Sequence, residues 1–404
     1  MTGAQVRRLG PGDSVVIGLA SMLGAGVFSA FGPAAAAAGS GMLVALVIAG
    51  IVAYCNATSS ARLAARHPQS GGTYVYGRRR LGPVWGFTAG WGFVVGKTAS
   101  CAAMALTFGA YVWPAHPSVP AVVVVLLLTA VNLLGVTRTA LAARVLLALT
   151  LATLVLVVAA GLAGGHTAPV EAPTGGPLGV LQAAGLLFFA FAGYARITTL
   201  GGEVRDPART IPRAVAIALG AVLVVYALVG TTALLVLGPA GLAGATAPLV
   251  QVATAGGLAA AEPVVRVGAA AACAGVLLTL VAGVGRTLAA MAADGELPRA
   301  LAPVDRRTGV PRRAELAVGL VAVTVVLTAD LRGAIGFAGV GVLVYYAIAN
   351  AAALTLGPGR RAVAVAGLVG CVVLVVTLPV EAVLVGAAVF AVGLEGRAVR
   401  MRLG

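Results

Sequence analysis

Gly24-Ala25-Gly26 interrupts an apolar segment that runs from Gly18 to Gly32. Each glycine inside a helix costs about 1 kcal/mol relative to alanine, so the triplet is where a helix would break. A break leaves the amides of Ala25, Gly26 and Val27 at the positive end of a second half-helix and the carbonyls of Ala20, Ser21 and Met22 at the end of the first. Those groups can hold an anion and a cation side by side without any buried side-chain charge. Close packing of small residues is the competing reading of the same glycines. Phe188 begins F-F-A-F-A-G-Y-A-R, a second apolar stretch with Gly193 in its middle.

Two charges stand in apolar surroundings. Lys97, in G-W-G-F-V-V-G-K-T-A-S, is the only lysine in a chain whose other cations are all arginine. Lysine is the cation that titrates readily on burial, and ionisable residues within a membrane are functional candidates. A structural pairing or a snorkelling side chain is the alternative. Arg196 lies three residues beyond Gly193 and does not deprotonate at accessible pH, so it cannot carry a proton. It can bind carbonyls of the interrupted segment, pair with Glu203 or act as a gate.

The surrounding elements follow from composition. With 60% hydrophobic and 10% charged residues over 404 positions, the chain cannot coat a soluble globule and reads as an all-α integral membrane protein. At about 20 apolar residues per span, the pattern predicts twelve helices: 13–36, 41–63, 83–113, 119–136, 142–163, 178–201, 213–238, 263–292, 314–330, 334–356, 361–378 and 380–396. No cleavable leader pattern precedes the first, which is expected to be retained.

The formal charge of +15 is divided among short loops, which argues against nucleic acid. Arginines follow spans 2, 4, 6, 8 and 10, from Arg62, Arg138, Arg205, Arg299 and Arg360 onward, and Arg7 and Arg8 precede span 1. Glu171, Glu262, Asp330 and Glu381 mark the other side, with Arg266 and Arg332 as exceptions. The positive-inside rule therefore places both termini in the cytoplasm of a multi-pass cell-membrane protein. Cys55, Cys101, Cys273 and Cys371 sit singly in apolar runs, and His67, His116 and His166 lie in separate loops, so neither a metal centre nor a cofactor is expected. No phosphate-binding G-x-x-x-x-G-K-[ST] occurs, which leaves a gradient as the energy source.

The interruptions in spans 1 and 6 are five spans apart, an odd number, so the second unit would enter the membrane inverted. Paired interrupted helices in two inverted halves point to the site of a secondary transporter. Four stretches then resemble the amino acid–polyamine–organocation (APC) superfamily: G-A-G-V-F at Gly24; A-A-R-H-P-Q-S-G-G-T-Y-V-Y-G from Ala64; the segment from Phe188 through E-V-R-D-P-A-R-T-I-P-R; and G-R-T-L-A-A-M-A-A-D-G-E-L-P from Gly285.

The resemblance implies a single transmembrane domain with a leucine-transporter-like fold. It would consist of a first five-helix repeat (13–163), an inverted second repeat (178–356) and two peripheral helices (361–396), with helices 1 and 6 broken. It also implies an α-amino acid or related amine as substrate. The substrate carboxylate would lie on the amides after Gly24, and its ammonium on the helix 1 carbonyls together with those of Phe189 and Ala192. The ring of Phe189 or Phe191 would close over it.

No carboxylate lies within spans 1 to 6 between Asp13 and Glu203, so a cationic substrate side chain would lack a counter-ion, and a neutral amino acid is expected. Where several relatives carry a proton-linked lysine in span 5, this chain has Thr150, and the glutamate common near Gly96 is absent. The expected coupling candidates are therefore Lys97, Thr150 and Arg196. Thr150 and Thr279 leave room for sodium, although nothing demands it. Proton-coupled symport leads, exchange comes second, and a membrane-embedded enzyme or a channel ranks behind both.

Overall fold

The computed structural model describes residues 10–67, 71–135, 140–165, 168–169, 172–198, 204–357 and 359–403. Arg7, Arg8, Arg138, His166, Glu171 and Glu203 lie outside the described residues. Helix α1 (Pro11–Met22) starts with proline in its first turn and stops where the glycine triplet begins. Leu23 takes φ −79° and ψ 62°, an inverse γ-turn, closed by Gly24 N–H on the Met22 carbonyl at 2.9 Å. The chain re-enters helix as α2 (Ala25–Ser29) and, after a still right-handed Ala30, α3 (Phe31–Ala38). The first span is thus broken at Leu23-Gly24, at the position its glycines predict.

The remaining helices are α4 (Met42–Arg66), α5 (Gly72–Arg80), α6 (Pro83–Val112), α7 (Ser118–Leu133), α8 (Ala140–Ala163), α9 (Gly176–Phe191), α10 (Ala195–Thr198), α11 (Pro207–Gly244), α12 (Pro248–Ala255), α13 (Glu262–Ala293), α14 (Arg312–Thr328), α15 (Leu331–Leu354), α16 (Arg361–Thr377) and α17 (Val380–Leu403). Among the described residues, nine helical segments are long and apolar enough to cross a membrane, and α7 and α16 are shorter apolar helices. The chain is all-α and largely membrane-embedded.

Three boundaries lie more than three residues from the expectation, both ends of the seventh span and the end of the last. The stretch expected at 213–238 extends over Pro207–Gly244, kinked where Gly238 takes φ 67° before Pro239. The last helix continues to Leu403, its final turn carrying Arg400 and Arg402, charges that suit a helix C-terminus. The sixth span, expected over 178–201 with an interruption at Gly193, is helical as α9 to Phe191 and continues through a tight turn to Thr198, beyond which 199–203 lie outside the described residues.

Packing centres on α6. Of its most apolar 18 residues 83% are buried, against 11% for α17. Close approach by glycine explains the centre: a Cβ on Gly96 would stand 2.9 Å from Val342 N, and one on Gly341 would stand 2.7 Å from the Gly92 carbonyl oxygen. The backbones of α6 and α15 therefore touch.

Polar contacts tie the helix ends into two faces. On one, Tyr74 donates to Asp294 at 2.7 Å, Arg78 reaches the same carboxylate at 3.1 Å, and Arg80 bonds the Thr355 carbonyl. Burial first, and the bond to Asp294 second, push the Tyr74 phenol above its ordinary range. Thus α5, which begins in the glycine-rich loop after α4, clamps the D-G-E-L-P turn after α13. At the opposite ends of α6, α13 and α15, Arg266 bonds Glu262 and the Tyr111 carbonyl, and Arg332 bonds Gln182.

Candidate functional site

The two interrupted spans meet. After α9 the chain tightens into a 3-10 turn, Ala192–Tyr194, before α10. An added Cβ on Gly193 would stand 2.2 Å from the Ser21 carbonyl oxygen and 2.8 Å from Met22 N. One added to Gly26 would stand 2.6 Å from Ala190 Cα. Both glycines therefore serve close packing and the breaks at once; the two readings of these glycines are compatible.

In an unbroken helix the Ala20 carbonyl would accept from Gly24 N–H, which here turns back to Met22, so the break frees Ala20 as an acceptor. Ser21 is half-buried, and its hydroxyl donates to the Ile17 carbonyl at 2.7 Å. Among the second-half amides, those of Ala25, Gly26 and Val27 have no acceptor within α2, because a helix's first N–H groups never do. In the second span the break is milder than expected. The Phe189 carbonyl is engaged by Ala192 N–H within the 3-10 turn, which leaves it one lone pair.

Lys97 reaches this junction. It is 7% exposed, and its Nζ donates to the Ala192 carbonyl at 3.3 Å. The glycine seam of α6 explains the aim: Gly96 faces the α15 backbone, and the neighbouring position is turned towards the second span. The candidate lysine and the candidate carbonyl are thus in one contact.

Tyr226 of α11 was not singled out by sequence. Its hydroxyl lies 2.6 Å from the Met22 carbonyl oxygen and 3.0 Å from that of Ala190, so it bridges the broken ends of both spans. The available signal was a phenol within an apolar helix, which must find an acceptor. The Phe191 ring packs edge-on against Tyr226 at 5.2 Å and is fully buried. Phe191 is therefore committed to the core, and Phe189, the other candidate ring, is buried as well, at 7% exposure. Tyr226→Phe is expected to lower counterflow about tenfold while costing only about 1 kcal/mol of stability. Counterflow and thermal unfolding of the same preparation check both halves.

Thr150 lies beside the first break. With Ala20, Leu23, Gly275 and Val276 it lines a cavity of about 20 Å³, room for one water-sized guest. Its hydroxyl donates to Leu146 at 2.8 Å, and Thr279 donates to Val276 at 2.7 Å. Arg196, in α10, is exposed, which fits a residue at the end of the segment rather than one inside the junction. Its expected partner Glu203 falls outside the described residues. Among these, no group of three histidine, cysteine or carboxylate side chains could hold a metal.

Comparison with known proteins gives this geometry a context. The family model described as "Amino acid permease" matches residues 13–357. An uncharacterized transporter of Mycobacterium tuberculosis (strain ATCC 25618 / H37Rv) is 59% identical over 401 residues, 98% of this chain and 91% of the relative. A branched-chain amino acid permease of Bacillus subtilis (strain 168) is 25% identical over 332 residues, covering 76% of this chain and 71% of its own. The chloroplastic cationic amino acid transporter 7 of Arabidopsis thaliana is 28% identical over 385 residues, covering 87% and 66%.

Proposed function

Because this chain belongs to the amino acid permease family, and so is a membrane-embedded amino-acid transporter of the APC superfamily and not an enzyme, we propose that it moves a neutral amino acid by alternating access, coupled to a proton. The substrate carboxylate sits on the amides of Ala25, Gly26 and Val27 after Gly24. Its ammonium sits on the carbonyls of Ala20, Ser21 and Met22 and of Phe189 and Ala192, at the level of Gly193, and Phe189 covers it. Lys97 carries the proton.

The observation that carries this reading is the Lys97 ammonium on the Ala192 carbonyl. It puts a titratable cation, not a counter-ion, beside the site, which disfavours a second cation on the substrate side chain. Buried carboxylates that could offset one, Glu296 and Glu315, belong to the D-G-E-L-P turn and the first turn of α14, away from the junction. Relatives named for branched-chain and for cationic substrates both match, so it is the site chemistry that separates the two classes.

For the architecture we propose twelve spans, two inverted five-helix repeats (13–163 and 178–356) and two peripheral helices. Support comes from the two interruptions meeting, and from α1 packing on α11 while α6 packs on α13. Cytoplasmic termini are supported by the arginine-bearing contacts of Arg78, Arg80, Arg144 and Arg397. Each joins elements on one side: Arg144 bonds Asp13 at 2.6 Å, and Arg397 bonds Glu296 at 2.5 Å.

Counterflow by the purified protein in liposomes tests the substrate class, followed by transport with proton and sodium gradients imposed separately. Alanine, leucine or phenylalanine is expected to exchange in preference to arginine or putrescine, and a proton gradient alone is expected to drive net transport. A preference for arginine or putrescine would refute the neutral class, and strict dependence on sodium would move coupling to the Thr150 cavity.

A further inference from the structure

The proposed site assigns one carbonyl two partners. Ala192 O is to receive the substrate's ammonium, yet in this structure Lys97 Nζ donates to it at 3.3 Å. Two ammonium groups on one carbonyl, out of contact with bulk water, repel each other and leave at least one incompletely hydrogen-bonded. Among the described residues, no carboxylate near Lys97 offsets a second charge. Among the described residues, the interior ionisable groups on its own helix and on the elements packed against it are thiols and phenols: Cys101 and Tyr111 on α6, and Cys273, Tyr74, Tyr76, Tyr194, Tyr345 and Tyr346 on its neighbours, all buried. Helices α2 and α7 carry none. The carboxylates of the packed helices stand at their ends, Glu262 already engaged by Arg266 and Glu315 in the first turn of α14.

Resting on the transport reading above, we infer that Lys97 is a tethered competitor of the substrate's ammonium. In the empty carrier the charged lysine holds the Ala192 carbonyl. An amino acid takes that carbonyl when one N–H bond of Nζ breaks, the electron pair staying on nitrogen and the proton passing to water on the side to which the site is open. The substrate keeps its own three N–H bonds. Substrate and proton then cannot ride together, so the carrier crosses with one or the other. The coupling is exchange: an inward proton gradient drives the amino acid outward.

The sign of the pH dependence tests this. Binding of radiolabelled alanine, leucine and phenylalanine to the purified protein is measured between pH 5 and 8, with a pH indicator in weak buffer counting protons. None of the three titrates over that range, so the slope belongs to the protein. Affinity is expected to rise with pH, about tenfold per unit where the empty carrier holds its proton, with about one proton released per molecule bound. Lys97→Met is expected to bind without pH dependence and to release none. Lys97→Arg, which cannot deprotonate, is expected to bind weakly at every pH.

Proton uptake on binding, pH-independent binding by the native chain, or a Lys97→Met protein that keeps the native slope would each overturn the inference. Should Lys97→Met not fold, the native proton count and Lys97→Arg decide. Binding without proton release removes the competition and leaves an amino-acid site. No binding of these probes or of any other amino acid, at any pH, removes the site reading and the inference with it.

Discussion

Gly193→Ala is expected to reduce transport by about 100-fold while leaving the protein folded. The added Cβ would stand 2.2 Å from the Ser21 carbonyl oxygen, 2.5 Å from its carbon and 2.8 Å from Met22 N. All three are backbone atoms, so no side-chain rotation relieves the overlap. Tyr226 bonds both Met22 and Ala190, which ties the end of α1 to α9 and leaves the turn after α9 to absorb the overlap. The 3-10 turn must therefore shift off α1, carrying the Ala192 carbonyl with it. A displacement of about 1 Å in a positioning group typically costs about 100-fold in rate. Gly220→Ala is the control, since a Cβ there meets nothing within 4 Å, and it is expected to transport normally with slightly raised stability. Counterflow rates and melting temperatures of the two variants decide the matter. Equal rates would show that the contact between the breaks is incidental.

The contrast between Gly24 and Gly193 explains how far the sequence could be read. At Gly24 the break is local: two glycines in three residues weaken a helix whatever surrounds it, and the structure breaks there. At Gly193 the local pattern reveals a weak point but not its form. The tight turn observed depends on the Ser21 backbone lying against it, a contact no local pattern encodes. The same distinction separates Lys97 from its acceptor. A solitary lysine in an apolar span is conspicuous, whereas Ala192, 95 residues away, is an ordinary alanine whose role comes from its carbonyl. Tyr226 is invisible to hydropathy, which sees one more residue of a long apolar helix. What periodicity and composition convey is where helices lie and where they fail; which failures face each other is a property of the packing.

The last helix carries the second large effect. Helix α17 is mostly uncovered, and the family resemblance implies a peripheral span there. Yet Arg397 bonds Glu296 at 2.5 Å with side-chain exposures of 12% and 4%, and its guanidinium lies 5.6 Å from the centre of the Phe87 ring. Nearby, Trp91 Nε1 donates to the Val389 carbonyl at 3.0 Å, so α17 is also held to α6. Removing one member of a buried pair strands the other, at about 3–5 kcal/mol, whereas replacing both by apolar residues is often neutral. Arg397→Leu is thus expected to lower the melting temperature in detergent sharply, and Glu296→Leu with Arg397→Leu to recover most of the loss. Arg78→Ala breaks a pair exposed by 40% and 47% and is expected to cost at most about 1 kcal/mol. If Arg397→Leu melts like Arg78→Ala, the pair is no more than a surface contact. If it melts early, the reason reaches past α17: Glu296 shares its short turn with Asp294, which anchors Tyr74 and Arg78 of α5. A stranded carboxylate there would loosen the clamp that closes this face of the protein, so the double variant should recover stability before it recovers transport.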